Sequence, residues 1–176
     1  MNSLLDRFTA PLDVDAYLAA MRPMWAPGRG VIGAVRPQTP AATSLEIRPG
    51  RGWIAHRPGQ FVTVGVDVDG VRHHRCYSLT SPPHRPDGRI EITVQAVEGG
   101  TVSRHLAHES RPGDVLALGP AEGDFTLPDD DRPLLAVTAG SGITPVMGMV
   151  RSLVIGARGR VPRRDVVVVH HAPTAE

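Results

Sequence analysis

The chain has 176 residues, 41% of them hydrophobic and 21% charged, which suits one full domain and a small part of a second. A net charge of +1 gives no field that would favour DNA, RNA or an anionic membrane, and a single cysteine excludes a disulfide framework or a four-cysteine metal site from this chain alone. Because the N-terminus lacks a signal-peptide pattern and no apolar run reaches membrane-spanning length, the sequence predicts a cytoplasmic protein without membrane insertion.

The first predicted segment, residues 1–28, is an amphipathic helical arm. Asp13 suits the cap of its helix and Pro23 suits the end. Its apolar residues recur at helical spacing: Val14, Tyr17, Leu18 and Met21. Such an arm either covers the base of the next domain or recognises a partner.

Residues 29–128 are predicted to form a six-stranded antiparallel β-barrel with one short helix at about residues 102–109. Short apolar runs with period two lie between Gly, Pro and Asp-Gly turn signals, which is typical of a small closed barrel. The six runs are VIGAVR (31–36), TSLEIRP (43–49), QFVTVGV (60–66), RHHRCYSL (72–79), RIEITVQAV (89–97) and DVLALG (114–119).

Residues 129–176 are predicted to begin an α/β domain after a linker at 128–133. An apolar run, a glycine turn, a helix and the apolar run DVVVVHH follow one another, which indicates one βαβ unit with a buried parallel strand pair. The predicted inner face of the helix carries Val146, Met149, Val150 and Leu153. A doubly wound sheet needs several more strands, so we expect only part of a Rossmann-like NAD(P)-binding lobe here.

The glycine turn of this unit, AGSGITP, has the residues of an anion site. Gly140 and Gly142 permit a tight turn and close approach of a ligand to the backbone. Thr144 suits the N-cap and Pro145 the first helical position, so N–H groups at a helix N-terminus would point outward. An ordinary tight turn between strand and helix would have the same pattern.

The stretch RCYSLTS places a cation and a ring at the end of a predicted strand. Strand alternation puts Arg75 and Tyr77 on one face, where an arginine fork and a flat ring can contact one ligand. Ser78 could hydrogen-bond the edge of a stacked heterocycle, and Cys76 would face the opposite side, towards the core. A barrel strand with a surface arginine and a half-buried tyrosine is the alternative.

A third stretch, EGGTVSRHL, gathers hydrogen-bond donors at the start of the short helix. After Gly99 and Gly100, residues 101–103 bring several N–H groups and two hydroxyls to one small region. Two phosphate-type sites in one barrel would suit a dinucleotide or a long-tailed mononucleotide. A plain Gly-Gly turn with a capping serine is the alternative.

The order of these motifs, R-x-Y-S (75–78), G-x-x-S-x-x-L (100–106) and G-x-G-x-x-P (140–145), resembles the ferredoxin–NADP reductase-like flavoprotein superfamily. The resemblance extends from about Gly30 to the C-terminus. It implies a barrel that binds FAD, preferred to FMN because YSLTSPP is similar to the FAD-type members, and an α/β domain that binds NADH or NADPH.

The resemblance also implies roles for individual residues. Arg75 would pair with the flavin phosphate, and Tyr77 and Ser78 would be the catalytic residues, at the isoalloxazine ring and its N5 edge. The Gly100–Ser103 turn would hold the pyrophosphate and the Gly140–Pro145 turn the nicotinamide nucleotide. The full predicted cofactor-binding set is Arg75, Cys76, Tyr77, Ser78, Val94, Gly100, Thr101, Val102, Ser103, Gly140, Gly142, Thr144 and Pro145.

The implied function is electron transfer from NAD(P)H through FAD to a protein such as a [2Fe-2S] ferredoxin, in the service of a desaturase or oxygenase. The alternative is a truncated flavin-binding or protein-docking module without catalysis. No metal site is predicted, because the pairs His73-His74 and His170-His171 would point to opposite faces of their strands and His105 and His108 lack a further ligand.

Overall fold

The structure, a computed structural model, describes residues 28–155 and 164–172. The predicted N-terminal helix and its residues lie outside these ranges. Within them, no helix combines the length and the apolar character needed to cross a bilayer.

The first unit is an antiparallel sheet of six strands that curls into a barrel. In sheet order the strands run β4-β3-β6-β1-β2-β5, and a bridge between Leu79 and Ile92 joins the two ends. All six predicted strands, and the barrel itself, are confirmed. The strands are β1 (Arg29–Pro37), β2 (Ala42–Pro49), β3 (Phe61–Val68), β4 (Val71–Ser78), β5 (Ile90–Gln95) and β6 (Val115–Glu122).

Alternation along the strands builds the barrel core. Leu45 and Ile47 on β2 point inward together with Val62 and Val64 on β3, and all four are fully buried. The inward positions are aliphatic because Val, Ile and Leu side chains pack well on a pleated surface.

A short helical segment closes one end of the barrel. Helix α1 (Thr101–Arg104) continues directly as a π-helix over His105–Glu109, which agrees with the helix predicted at 102–109. Leu106 enters the core, and the buried hydroxyl of Thr43 donates a hydrogen bond of 2.9 Å to the carbonyl of Ala107. This bond fixes the π-helical turn to the start of β2.

The second unit is the predicted βαβ. Strand β7 (Leu134–Ala139) leads through a 3₁₀ turn at Gly140–Gly142 into helix α2 (Ile143–Ile155). Strand β8 (Val166–His171) then pairs with β7 in parallel. On the predicted inner face of α2, Val146, Met149 and Leu153 are between 1% and 8% exposed, whereas Val150 is only half-buried.

The expectation that this parallel pair is buried is wrong for the described residues. Leu135 and Val137 on β7 lie opposite Val167 and Val169 on β8, and all four side chains are more than half exposed. They share one face of a two-stranded sheet, and no described element packs on that face. Residues 123–133, which include the predicted linker, form neither helix nor strand.

Candidate active site

Arg75 and Tyr77 lie together on the inward-facing side of β4. Arg75 pairs with Val64 and Tyr77 with Val62, and side chains directly opposite in an antiparallel pair share a face. Tyr77 is half-buried and packs against the barrel core, whereas Arg75 is exposed. Burial raises the pKa of the Tyr77 phenol although the neighbouring Arg75 charge opposes this, so the ring is neutral.

The guanidinium of Arg75 is available to an anion. Its Nη1 donates a hydrogen bond of 2.8 Å to the carbonyl of His74, and no carboxylate among the residues described forms an ion pair with it. Arg72 on the same strand is different, because its guanidinium is bound by Asp67. Of these two arginines, only Arg75 can offer a two-pronged site to a phosphate without losing a carboxylate partner.

The other two residues of the motif lie at different depths. Ser78 is half-buried at the end of β4, opposite Phe61. The prediction that Cys76 faces the core is wrong: its side chain is exposed, with its sulfur 3.5 Å from the Thr63 hydroxyl. Alternation does put Cys76 on the face opposite Tyr77, but that face is the outside of the barrel.

The turn before α1 offers a ligand mainly backbone N–H groups. Gly100 is the N-cap in an extended conformation, and no acidic residue occupies the first turn. The Ser103 hydroxyl accepts the Val97 N–H at 3.2 Å and donates its proton to the Gly100 carbonyl at 3.3 Å. The Ser103 hydroxyl therefore braces the turn, and main-chain N–H groups of the first turn remain as donors for a ligand.

Two valines of the predicted set, Val94 and Val102, are buried in the barrel core, at 0% and 3% exposure. Their side chains cannot reach a surface ligand. Any contact they make with a cofactor would have to be through the main chain.

The Gly140–Pro145 turn follows the carboxyl end of β7, the edge at which parallel sheets bind ligands. Gly140 has φ +51°, a left-handed conformation that disfavours a side chain. The expected N-cap at Thr144 is wrong, because α2 begins at Ile143 after the 3₁₀ turn. The Thr144 hydroxyl instead donates to the Ser141 carbonyl at 2.8 Å, and Pro145 lies in the first turn of the helix.

One polar pair at this edge escaped the sequence analysis. The Thr138 hydroxyl lies 2.8 Å from His170 Nδ1, across the parallel register that aligns the two residues. Aligning the ends of the two apolar runs, VTAG and VVHH, would have placed them side by side. No group of three or more His, Cys, Asp or Glu side chains within the described ranges is arranged to hold a metal ion.

These observations define a class of protein: a flavin-binding barrel joined to the first βαβ unit of a nucleotide-binding lobe. The residues present fit FAD, because one barrel carries an arginine that pairs with no carboxylate in the described part of the chain, a half-buried tyrosine ring and a donor-rich turn. A phosphate, a flat ring and a second phosphate need those three features in turn.

The comparisons with known proteins give the family. Residues 41–127 match the profile of the oxidoreductase FAD-binding domain. An NADPH oxidoreductase of Mycobacterium tuberculosis is 41% identical over 181 residues, which cover 99% of this chain and 47% of that protein. Residues 41–127 are therefore a domain of the oxidoreductase FAD-binding family, and the chain spans about half the length of this curated relative.

Two solved structures share the fold. The flavohem-like FAD/NAD-binding domain of nitric oxide dioxygenase from Vibrio cholerae aligns with a TM-score of 0.72 at 23% identity, over 85% of this chain and 64% of that one. The cytochrome P450 reductase GcoB of Amycolatopsis aligns with a TM-score of 0.68 at 26% identity, over 83% of this chain and 43% of that one.

Proposed function

We propose that the chain is the flavin-binding part of an NAD(P)H-dependent oxidoreductase that passes electrons through FAD to a protein acceptor. The observation that carries the proposal is the exposed Arg75 beside the half-buried Tyr77, in a domain of the FAD-binding family. The similarity to an NADPH oxidoreductase supports a nicotinamide nucleotide as the electron donor.

When bound, FAD would supply the hydride and electron transfer chemistry. Arg75 would hold the flavin phosphate, and Tyr77 would offer one face of its ring for stacking. Ser78 would donate a hydrogen bond at the reactive edge of the flavin. Main-chain N–H groups at Gly100–Ser103 would hold the pyrophosphate, and the turn at Gly140–Pro145 would receive the nucleotide.

The acceptor in this proposal is an iron–sulfur protein such as a [2Fe-2S] ferredoxin, or a haem protein, that serves a desaturase or oxygenase. The likeness to a cytochrome P450 reductase supports a protein acceptor of this general kind. NADH and NADPH are both compatible with the described residues.

Flavin titration of the purified chain tests the proposal. We expect FAD to bind more tightly than FMN, and anaerobic addition of NADH or NADPH to bleach the flavin absorbance. Arg75→Gln should raise the Kd for FAD by about tenfold or more, the value of one or two hydrogen bonds to a charged group. Arg72→Gln is the matched control on the same strand and should leave this Kd unchanged.

A chain that binds neither flavin would contradict the proposal, as would equal FAD affinities for the two arginine variants. FAD that binds normally but is not reduced by either nucleotide would instead favour a flavin-binding module without catalysis. The exposed apolar face of β7 and β8 gives such a module a surface for docking.

A further inference from the structure

Helix α2 touches the barrel where β4 has just ended. Gly148 is buried there, and a Cβ atom at this position would lie 2.3 Å from the carbonyl oxygen of Leu79. No real Cβ approaches an atom so closely. The helix backbone can therefore rest on the Leu79–Thr80 peptide only because position 148 has no side chain.

Arg151, almost one turn further along the helix, forms a hydrogen bond with the next peptide of the same segment, Thr80–Ser81. Its Nη1 donates to the carbonyl of Thr80 at 2.9 Å and also to the carboxylate of Glu91. The Thr80 hydroxyl is itself within 3.0 Å of that carboxylate. The two acceptor residues, Thr80 and Glu91, are 2% and 8% exposed, whereas the Arg151 side chain is 40% exposed, so a partly solvated arginine binds buried acceptors.

The Glu91 carboxylate, which Arg151 binds, lies beside a second buried carboxylate, and a nearby cation offsets the repulsion between the two. Glu91 lies directly opposite Glu46 in the β2–β5 register, and both residues are buried. Like charges in this arrangement repel each other. Arg36 contacts both carboxylates, at 3.3 Å from Glu46 and 3.6 Å from Glu91, and Arg151 is the cation that α2 contributes.

The two residues that α2 contacts, Leu79 and Thr80, adjoin a predicted catalytic residue. Leu79 and Thr80 directly follow Ser78, whose hydroxyl we place at the reactive edge of the flavin in the proposed function. The Leu79 N–H is bonded to the Gln60 carbonyl and the Thr80 N–H to the Glu91 carbonyl, which makes this segment stiff. A displacement of this segment by α2 would therefore also displace the adjoining Ser78.

We propose that Gly148 and Arg151 are positioning residues that set the Ser78 hydroxyl against the flavin edge. Neither touches the reacting atoms: Gly148 acts through the carbonyl of Leu79 and Arg151 through the carbonyl of Thr80. The inference rests on the proposed function, because it presumes FAD at Ser78. Helix α2 then has two roles, since it begins at the nucleotide-binding turn and tunes the flavin further along its length.

The midpoint potential of the bound FAD tests this coupling in a double-mutant cycle. Ser78→Ala removes the hydroxyl, and Arg151→Met removes the guanidinium with little loss of volume. We expect Arg151→Met to shift the potential in the same direction as Ser78→Ala, by at least half as much, and to add nothing in the Ser78→Ala background. Arg151→Lys should restore part of the shift, and Arg72→Met should cause none.

A second variant repeats the test of the potential, and a second measurement, hydrogen exchange, is independent of flavin binding. Gly148→Ala should shift the potential as Arg151→Met does, because the helix must move off Leu79. In the flavin-free chain, hydrogen exchange at the Leu79 and Thr80 amides should be about tenfold faster in Arg151→Met, the equivalent of one lost hydrogen bond.

Additive shifts in the cycle, or an unchanged potential in both α2 variants, would overturn the inference. If the wild-type chain binds no flavin, the proposed function fails, and amide exchange alone decides whether α2 holds this peptide. Equal exchange rates in wild type and Arg151→Met would then reject the contact as well.

Discussion

Replacing Glu46 with alanine should destabilise the barrel more than any surface charge change, because its carboxylate is the centre of a buried cluster. The side chain is 3% exposed and accepts hydrogen bonds from Arg36, Arg85 and Arg89. Removing one member of a buried ion pair costs about 3–5 kcal/mol, because its partners are left without compensation.

The lower end of that range applies to Glu46. Its arginine partners are 22% to 53% exposed and can turn towards water once the carboxylate is gone. We therefore expect a loss of about 3 kcal/mol, which for a domain of this size lowers Tm by roughly 6–12 °C. Glu46→Gln keeps the shape and one acceptor and should fall between wild type and Glu46→Ala.

The same carboxylate predicts how stability changes in acid. Burial alone would raise the pKa of Glu46, but hydrogen bonds and charges from Arg89, Arg85 and Arg36 outweigh it and hold this pKa below 4.5. Its contribution is thus complete above pH 4.5 and is lost as the pH falls through the lowered value. Glu46→Gln should weaken that acid dependence.

Thermal and urea unfolding measure these effects, with Asp67→Ala as the control. Asp67 also binds an arginine, Arg72, but both side chains are more than half exposed, and its loss should leave the unfolding midpoint unchanged. If Glu46→Ala costs less than about 1 kcal/mol, the range of an exposed pair, the cluster does not stabilise the barrel and this reasoning is refuted.

Two further outcomes follow from single side chains. Cys76 is exposed on β4, so a maleimide should label it in the native flavin-free chain nearly as fast as in urea, and slow labelling would show that its face of the barrel is covered. Burial is the main cause that lowers the pKa of His56 from 6.5. Below pH 6.5 the unfolded chain therefore binds a proton at His56 more readily than the folded chain does. Stability should therefore fall as the pH drops below 6.5, and His56→Gln should flatten this slope in urea unfolding curves; an unchanged slope would assign the effect to another group.

The barrel could be predicted from sequence because the pattern that identifies each strand lies within that strand. The run RIEITVQAV alternates with period two, and the alternation alone identifies Ile90, Ile92 and Val94 as inward positions on β5. The same rule put Arg75 and Tyr77 on one face of β4. Alternation separates the two faces of a strand but does not say which face is covered, and for that reason the position of Cys76 was predicted wrongly.

Burial of β8 could not be judged from the run DVVVVHH either. An apolar run indicates what a strand is able to bury, whereas its exposure depends on the elements that pack beside it. In the described residues only α2 accompanies the pair, and it packs beside β7, while Val168 on β8 is 41% exposed. Val167 and Val169 on the other face are consequently exposed.

The contact between α2 and the barrel had no local signal at all. Arg151 and Thr80 are 71 residues apart, and Arg151 lies in the helical stretch MVRSL like any polar residue on a helix surface. Glu46 and Glu91 likewise stand in apolar runs, LEI and IEI, where alternation does not reveal that the two residues pair across the sheet.

The ion pairs of Glu91 connect the two predicted domains. The predicted boundary between residues 128 and 129 separates two kinds of chain pattern, but the buried carboxylate of Glu91 is neutralised partly from each side, by Arg36 of the barrel and Arg151 of α2. A barrel without α2 would keep the repulsion between Glu46 and Glu91 and lose one of its compensating cations. The βαβ unit therefore contributes to the stability of the barrel, and its contact with the barrel adjoins Ser78, the residue that we propose for the flavin edge.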